Sequence, residues 1–236
     1  MALLKDRLVI WQSHYSFYII HYAINMTIQA EKIGKKYRRE WIFRSVDLTL
    51  SAGNNYTFVG PNGSGKSTLL QVLAGMQPAS AGKLTYLLDG KPLEDDAWYR
   101  HMVLAAPYLE LIEELTLTEL LDFHRRFKPF RNGADSLALI EQMQLTHARN
   151  KEIKFFSSGM KQRVKLGLAF FSEARIVLLD EPTSNLDRQG AAWYHEHVAR
   201  LIAPSTQPPV LLLIGSNQPT EYEFCPNVLD VMQWKP

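Results

Sequence analysis

Cysteine is nearly absent. The 236-residue chain has one, Cys225, which excludes an internal disulfide and any multi-cysteine metal site and fits a reducing compartment. No motif surrounds Cys225, so it is a poor candidate nucleophile. Excess charge of one sign is also lacking: 26 Lys and Arg against 24 Asp and Glu leave a formal net charge of +2. That gives no support to a general nucleic-acid binder, which relies on a strong positive field. Long hydrophobic runs are missing as well. The longest late in the chain, Val210 to Ile214, has five residues, where a membrane-spanning helix needs about twenty. Leu8 to Ala30 carries no Asp, Glu, Lys or Arg, but Gln12, Ser13, His14, Ser16, His21 and Asn25 make it a weak span. No internal repeat or low-complexity tract is visible.

What is there reads as an ordinary folded protein, with 46% hydrophobic and 21% charged residues and a length that suits one large domain or two small ones. Residues 1–25 differ from the rest. They are rich in aromatics (Trp11, Tyr15, Phe17, Tyr18, Tyr22) and lack a small-residue cleavage site, which argues against a signal peptide. Met26 then opens an alternating pattern, Ile28 and Ala30, typical of a strand. Two readings stand side by side: Met26 as the biological start with an upstream extension before it, or residues 1–25 as an interfacial anchor.

Further β-rich runs, Val46 to Leu50 and Tyr56 to Val59, are separated by the turn-like Ser51-Ala52-Gly53-Asn54. Thr116 or Thr118 can cap a helix running to about Lys128, where Pro129 and Arg131-Asn132-Gly133 end it. Ser136 to Leu145 places Leu137, Ile140 and Met143 on one helical face, and Ser157 or Ser158 starts a helix to about Glu173. Ile176 to Leu179 and Val210 to Ile214 are continuous apolar runs that suit buried strands of a parallel sheet.

The densest chemistry follows Val59. Gly60-Pro61-Asn62-Gly63-Ser64-Gly65-Lys66-Ser67-Thr68 satisfies the P-loop pattern and leads into Leu69, Leu70, Val72 and Leu73 at helical spacing. Glycines let backbone N–H groups turn inward around phosphate oxygens, and the helix beginning near Lys66 adds its positive end. Lys66 can reach the β and γ phosphates of a nucleotide, and the Ser67 hydroxyl can ligate Mg2+. Asp180, at the end of an apolar run, can hold Mg2+ directly or through water, and Glu181 can accept a proton from an attacking water.

In this ordered set of motifs the chain resembles an ATP-binding cassette (ABC) ATPase from about Met26 to about Leu229. Phe156-Ser157-Ser158-Gly159-Met160-Lys161-Gln162-Arg163 is similar to the family's signature sequence, Asp180-Glu181-Pro182-Thr183 to its Walker B and catalytic glutamate, and Ser184-Asn185-Leu186-Asp187 to its D-loop. The resemblance implies that Ser157, Ser158 and Gly159 meet the γ-phosphate of an ATP held by another subunit, so that two Mg·ATP lie between two cassettes. It also implies that Tyr37, in Lys35-Lys36-Tyr37-Arg38, stacks on adenine, which needs an exposed ring on a loop.

Two positions depart from the family. Its loop glutamine ahead of Leu115-Thr116 falls at Pro107, and Glu110 is the nearby candidate to take over contact with Mg2+ or water. Its switch histidine falls at Asn217, which can donate a hydrogen bond but carries no charge. The His195-Glu196-His197 triplet reads as a solvated helix face, since positions two apart on a helix do not face one another, and Arg125-Arg126-Phe127-Lys128 reads as another surface face.

The expected fold is α/β, a P-loop NTPase core with a mostly parallel sheet, an antiparallel β edge and an inserted α-helical subdomain at about 108–173 of a 26–236 domain. The resemblance implies an ATPase that dimerises with itself or a similar cassette and drives separate membrane permease subunits from the inner face of the cell membrane, with no nucleic acid partner. A regulatory or non-transport cassette, in which ATP-dependent dimerisation outweighs hydrolysis, is the alternative that Pro107 and Asn217 leave open.

Overall fold

The computed structural model describes residues 25–94, 97–206 and 208–236. The reading of residues 1–25 falls outside them, but for Asn25. Nine strands and five α-helices alternate along the described chain: β1 (Met26–Tyr37), β2 (Glu40–Ser51), β3 (Asn55–Val59), α1 (Lys66–Leu73), β4 (Ala81–Leu88), β5 (Lys91–Pro92), β6 (Met102–Ala105), α2 (Leu117–Arg125), α3 (Ser136–Gln142), α4 (Ser158–Phe171), β7 (Ile176–Asp180), α5 (Arg188–Leu201), β8 (Leu211–Gly215) and β9 (Asn227–Asp230). Among them no helix is long and apolar enough to cross a membrane.

Two sheets form. The strands β6-β7-β8-β3-β9 lie parallel, and β2-β1-β4-β5 make a separate antiparallel sheet. The apolar runs explain the parallel sheet, because β7 and β8 are buried on both faces and have no solvent side to carry polar residues. Their alternate residues divide between two cores. Val177, Leu179, Leu212 and Ile214 pack with α2 to α5, whereas Ile176, Leu178, Leu211 and Leu213 pack with Leu69, Leu70 and Leu73 of α1 and with Ile28, Phe43 and Val46 of the antiparallel sheet. The result is three layers, with the parallel sheet in the middle.

Capping settles where the helices begin. Thr116, not Thr118, caps α2: its hydroxyl accepts from Glu119 N–H, and the Glu119 carboxylate accepts the Thr116 N–H at 2.8 Å in a reciprocal capping box. Ser157 caps α4 by accepting from Met160 N–H at 3.2 Å, while Ser158 is the first helical residue. Helix α2 ends earlier than the sequence spacing indicates, and the reading of Arg125 to Lys128 as a wholly surface face is corrected at its last member. Lys128 turns inward, its ammonium donating to the carbonyls of Met102 and of Tyr99, the latter at 3.2 Å, and burial pushes its pKa down to about 8.

Candidate functional site

In a parallel sheet the C-terminal strand ends share one edge, and the strand order sets β3, β8 and β7 side by side. Phe58 on β3 pairs with Gly215 on β8, and Asp180 on β7 pairs with the same Gly215. The P-loop leaving β3, the Asp180-Glu181 segment leaving β7 and the Ser216-Asn217 segment leaving β8 therefore converge.

The loop conformation needs its glycines. Gly60, Gly63 and Gly65 have φ of 146°, 76° and 107°, values that side chains resist. Space is also tight: a Cβ at Gly65 would sit 2.7 Å from Ile42 Cγ2, and one at Gly60 2.8 Å from Ser64 Oγ. Gly65 precedes the first residue of α1, so the first-turn N–H groups of α1 point toward the loop. Lys66 is 4% exposed and its ammonium donates to the carbonyls of Gly60 at 2.8 Å and Pro61 at 3.3 Å. Pro61 and Asn62 form the exposed rim, Ser64 is buried with an unpartnered hydroxyl, and Ser67 and Thr68 follow Lys66 on the first turn of α1.

Asp180 faces this loop at 1% exposure, and neither of its oxygens has a hydrogen-bond partner. Burial pushes its pKa up to about 6; the facing Ser67 hydroxyl and the Lys66 charge pull it down, and the Glu181 charge pushes it up. The Ser67 and Tyr108 hydroxyls approach the carboxylate without closing hydrogen bonds of good geometry. A buried, unpartnered carboxylate facing the Ser67 hydroxyl is an all-oxygen pair with negative charge, which fits a hard divalent cation. Gly215 makes room for it, since a Cβ there would lie 2.9 Å from Asp180 Oδ1.

The carboxylate's energetics are testable without any ligand. Its folded-state pKa lies above the ordinary value of 3.8, so its contribution to stability is complete below pH about 4 and is lost as pH rises through about 6. Ionised in the folded protein at pH 7, it costs up to about 3 kcal/mol. Asp180→Asn is expected to raise the melting temperature of the metal-free protein at pH 7.5 by about 5 °C, and the gain should vanish at pH 4. Equal melting curves at pH 7.5 would show that the charge carries no such cost.

Glu181 follows Asp180 with φ 43°, a strained left-handed conformation for a residue with a side chain, held by its N–H donating to Gly215 O at 2.8 Å. Asn217 is exposed, and its side-chain amide donates to Asn62 Oδ1 at 3.0 Å, tying the segment after β8 to the P-loop rim.

Tyr37 stands at the end of β1 and not on a loop, because β1 continues as far as its turn to β2. It is 44% exposed, its hydroxyl donates to Gln77 Oε1 at 2.5 Å, and the Lys35 ammonium lies 5.2 Å from its ring centroid. Gln77 in turn donates to Gln71 of α1. Ser157, Ser158 and Gly159 do not join the P-loop. They line a separate pocket of about 510 Å3 with Asn185, Asp187 and Arg163, and no P-loop residue borders it.

Sequence reasoning missed Tyr108. It leaves β6 beside Asp180, its hydroxyl faces Asp180 and Gln71, and burial pushes its pKa up to about 12. Glu110 instead faces Lys165, whose ammonium donates to Pro107 O at 2.8 Å. Among the described residues no cluster of three metal-ligating side chains forms. His197 is buried, contrary to a solvated face, with its ring bonded to Trp193 O at 2.8 Å.

Residues 43–184 match the family model described as ABC transporter. The chain is 28% identical over 204 residues to the linearmycin resistance ATP-binding protein of Bacillus subtilis, covering 84% of this chain and 63% of that one. It is 32% identical over 172 residues to the sulfate/thiosulfate import ATP-binding protein of Photorhabdus laumondii, covering 70% of this chain and 47% of that one. Among solved structures, a dimeric post-hydrolysis ATP-binding cassette bound to ADP and phosphate superposes with a TM-score of 0.74 at 20% identity, over 86% of this chain and 93% of that one.

Proposed function

The chain belongs to the ABC transporter family, and from that premise we propose that it is a nucleotide-binding subunit that binds Mg·ATP, dimerises around it and hydrolyses it to drive separate membrane permease subunits. The observation that carries the reading is the buried, unpartnered Asp180 carboxylate set against the P-loop and Lys66 at one sheet edge.

In this reading the N–H groups of residues 62–65 and the Lys66 ammonium bind the ATP phosphates, Gly60, Thr68 and Pro61 to Ser64 shape the cradle, and Tyr37 stacks on adenine. Ser67 and Asp180 hold Mg2+, which when bound offsets phosphate charge. Glu181 accepts the proton of the attacking water, and Asn217 donates to the γ-phosphate. Ser157, Ser158 and Gly159 at the start of α4 present hydroxyls, N–H donors and a positive helix end to the nucleotide of a second cassette. Their distance from the P-loop within one chain supports this assignment.

Residues 26–236 then form one cassette whose helical part, about 108–173, receives the permease at the inner face of the membrane. Names of relatives that include import and resistance proteins support a transport role without choosing a direction.

Phosphate release by the purified chain tests the activity, with and without Mg2+. Mg2+-dependent turnover is expected, and absence of nucleotide binding would falsify the reading; binding and dimerisation without turnover would move it to a regulatory cassette. Asn217→His restores a charge-assisted bond worth about 1.5–3 kcal/mol. It is expected to raise kcat by about ten- to a hundredfold, and an unchanged kcat would remove Asn217 from the site.

A further inference from the structure

Among the described residues two carboxylates are buried, Asp180 and Glu221, and the proposed chemistry uses the first alone. Glu221 is 0% exposed, in the short turn Pro219–Glu221 after β8. No ion pair involves it among the described residues. An interior carboxylate without a cation is costly unless donors surround it, and three do. One oxygen accepts the Thr183 N–H at 2.8 Å and the Thr183 hydroxyl; the other accepts the Ser216 hydroxyl.

These partners place Glu221 between two segments of the site. Thr183 lies two residues after Glu181, and Ser216 directly precedes Asn217. The peptide joining Pro182 to Thr183 is gripped on both sides, its N–H by Glu221 and its carbonyl by the Gln162 amide of α4 at 2.9 Å. Ser216 is likewise fixed, its N–H donating to Phe58 O at 3.1 Å and its hydroxyl oxygen accepting the Gln218 N–H at 2.9 Å. Tyr194 of α5 anchors the arrangement by donating to the Glu221 carbonyl at 2.7 Å.

We infer that Glu221 is a positioning residue for ATP hydrolysis: its two acceptor oxygens clamp the segment carrying Glu181 to the segment carrying Asn217, so that both keep one spacing. This rests on the ATPase reading above. An amide weakens the clamp, because it keeps one acceptor for Thr183 and turns an N–H donor toward Ser216, whose hydroxyl then loses the charged acceptor it donates to. Misplacement of a reacting group by about 1 Å can cost about a hundredfold in rate.

The test uses the full chain, measuring kcat, KM for ATP, nucleotide affinity by fluorescence and melting temperature. Glu221→Gln is expected to lower kcat by about ten- to a hundredfold with KM and affinity changed less than about twofold. Ser216→Ala, which cuts only the Asn217 side, is expected to lower kcat in the parent chain and to have no further effect in an Asn217→Ala background. Unchanged kcat in Glu221→Gln overturns the inference, as do additive losses in the Ser216 and Asn217 cycle or a parallel fall of affinity, melting temperature and kcat. Should Glu221→Gln fail to fold, the Ser216 and Asn217 cycle decides alone. A parent chain that binds and hydrolyses no ATP overturns the function itself, and the inference with it.

Discussion

Glu181→Gln is expected to abolish most ATP turnover, lowering kcat by about a hundred- to ten-thousandfold, the range removed with a general base, while nucleotide affinity stays within a few fold. The backbone explains why binding survives. Glu181 is held by its own N–H on Gly215 O at 2.8 Å, a bond that the substitution keeps, and Gln accepts the φ of 43° no worse than Glu. What changes is the loss of a proton acceptor and of one negative charge beside Asp180. Because the Glu181 charge pushes the Asp180 pKa up, the variant should also ionise Asp180 at lower pH and bind Mg·ATP better in mild acid. Phosphate release measured beside fluorescent nucleotide binding at pH 5.5 and 7.5 separates the two effects. Unchanged turnover refutes the assignment of Glu181 as base; unchanged turnover together with weaker binding shows that its charge serves the bound cation instead.

Legibility in the sequence followed contiguity. The P-loop, the Asp180-Glu181 pair and the caps at Thr116 and Ser157 are formed by residues close along the chain, so their spacing carries their geometry. The buried strands β7 and β8 were legible because burial on both faces leaves unbroken apolar runs. The antiparallel sheet was only partly so. Its center strand β1 pairs Met26 with Leu88 and Thr27 with Ser51, contacts across long separations that no local pattern encodes, and bulges between Ala30 and Lys36 break the alternation that would have marked its length.

The same reason hid Tyr108 and Glu221. Tyr108 meets Asp180 across 72 positions of sequence and Glu221 meets Thr183 across 38, and neither residue sits in a recognisable spacing. The burial of Glu221 was hidden too, since a glutamate between Thr220 and Tyr222 in a polar stretch reads as exposed. Lys128 and His197 misled in one direction: both are polar residues in polar local sequence, Lys128 turned inward by the carbonyl of Met102 and His197 packed against the Phe170 and Phe171 rings of α4, neighbours that only the fold supplies.

Lys66→Met carries the other large expected effect, a loss of nucleotide affinity by about a hundredfold, from a charge-assisted phosphate bond of about 1.5–3 kcal/mol lost in a buried setting. Folding should not suffer. Lys66 is 4% exposed with two neutral carbonyls as its bonded partners, and a buried cation so bonded, with only a lesser attraction to the Asp180 carboxylate, brings little net stability. Methionine keeps the length and apolar body of the side chain and releases that cost, so the melting temperature should hold or rise while binding falls. A second consequence follows from Asp180, whose pKa the Lys66 charge pulls down. Without that charge Asp180 binds its proton to higher pH, and whatever Mg·ATP binding remains should weaken more steeply between pH 7.5 and 6 than in the parent chain. Titration of a fluorescent nucleotide at both pH values reads affinity and pH slope in one experiment. Affinity retained within about threefold at pH 7.5 removes Lys66 from the phosphate site, and a steep loss of melting temperature assigns its burial to the fold instead.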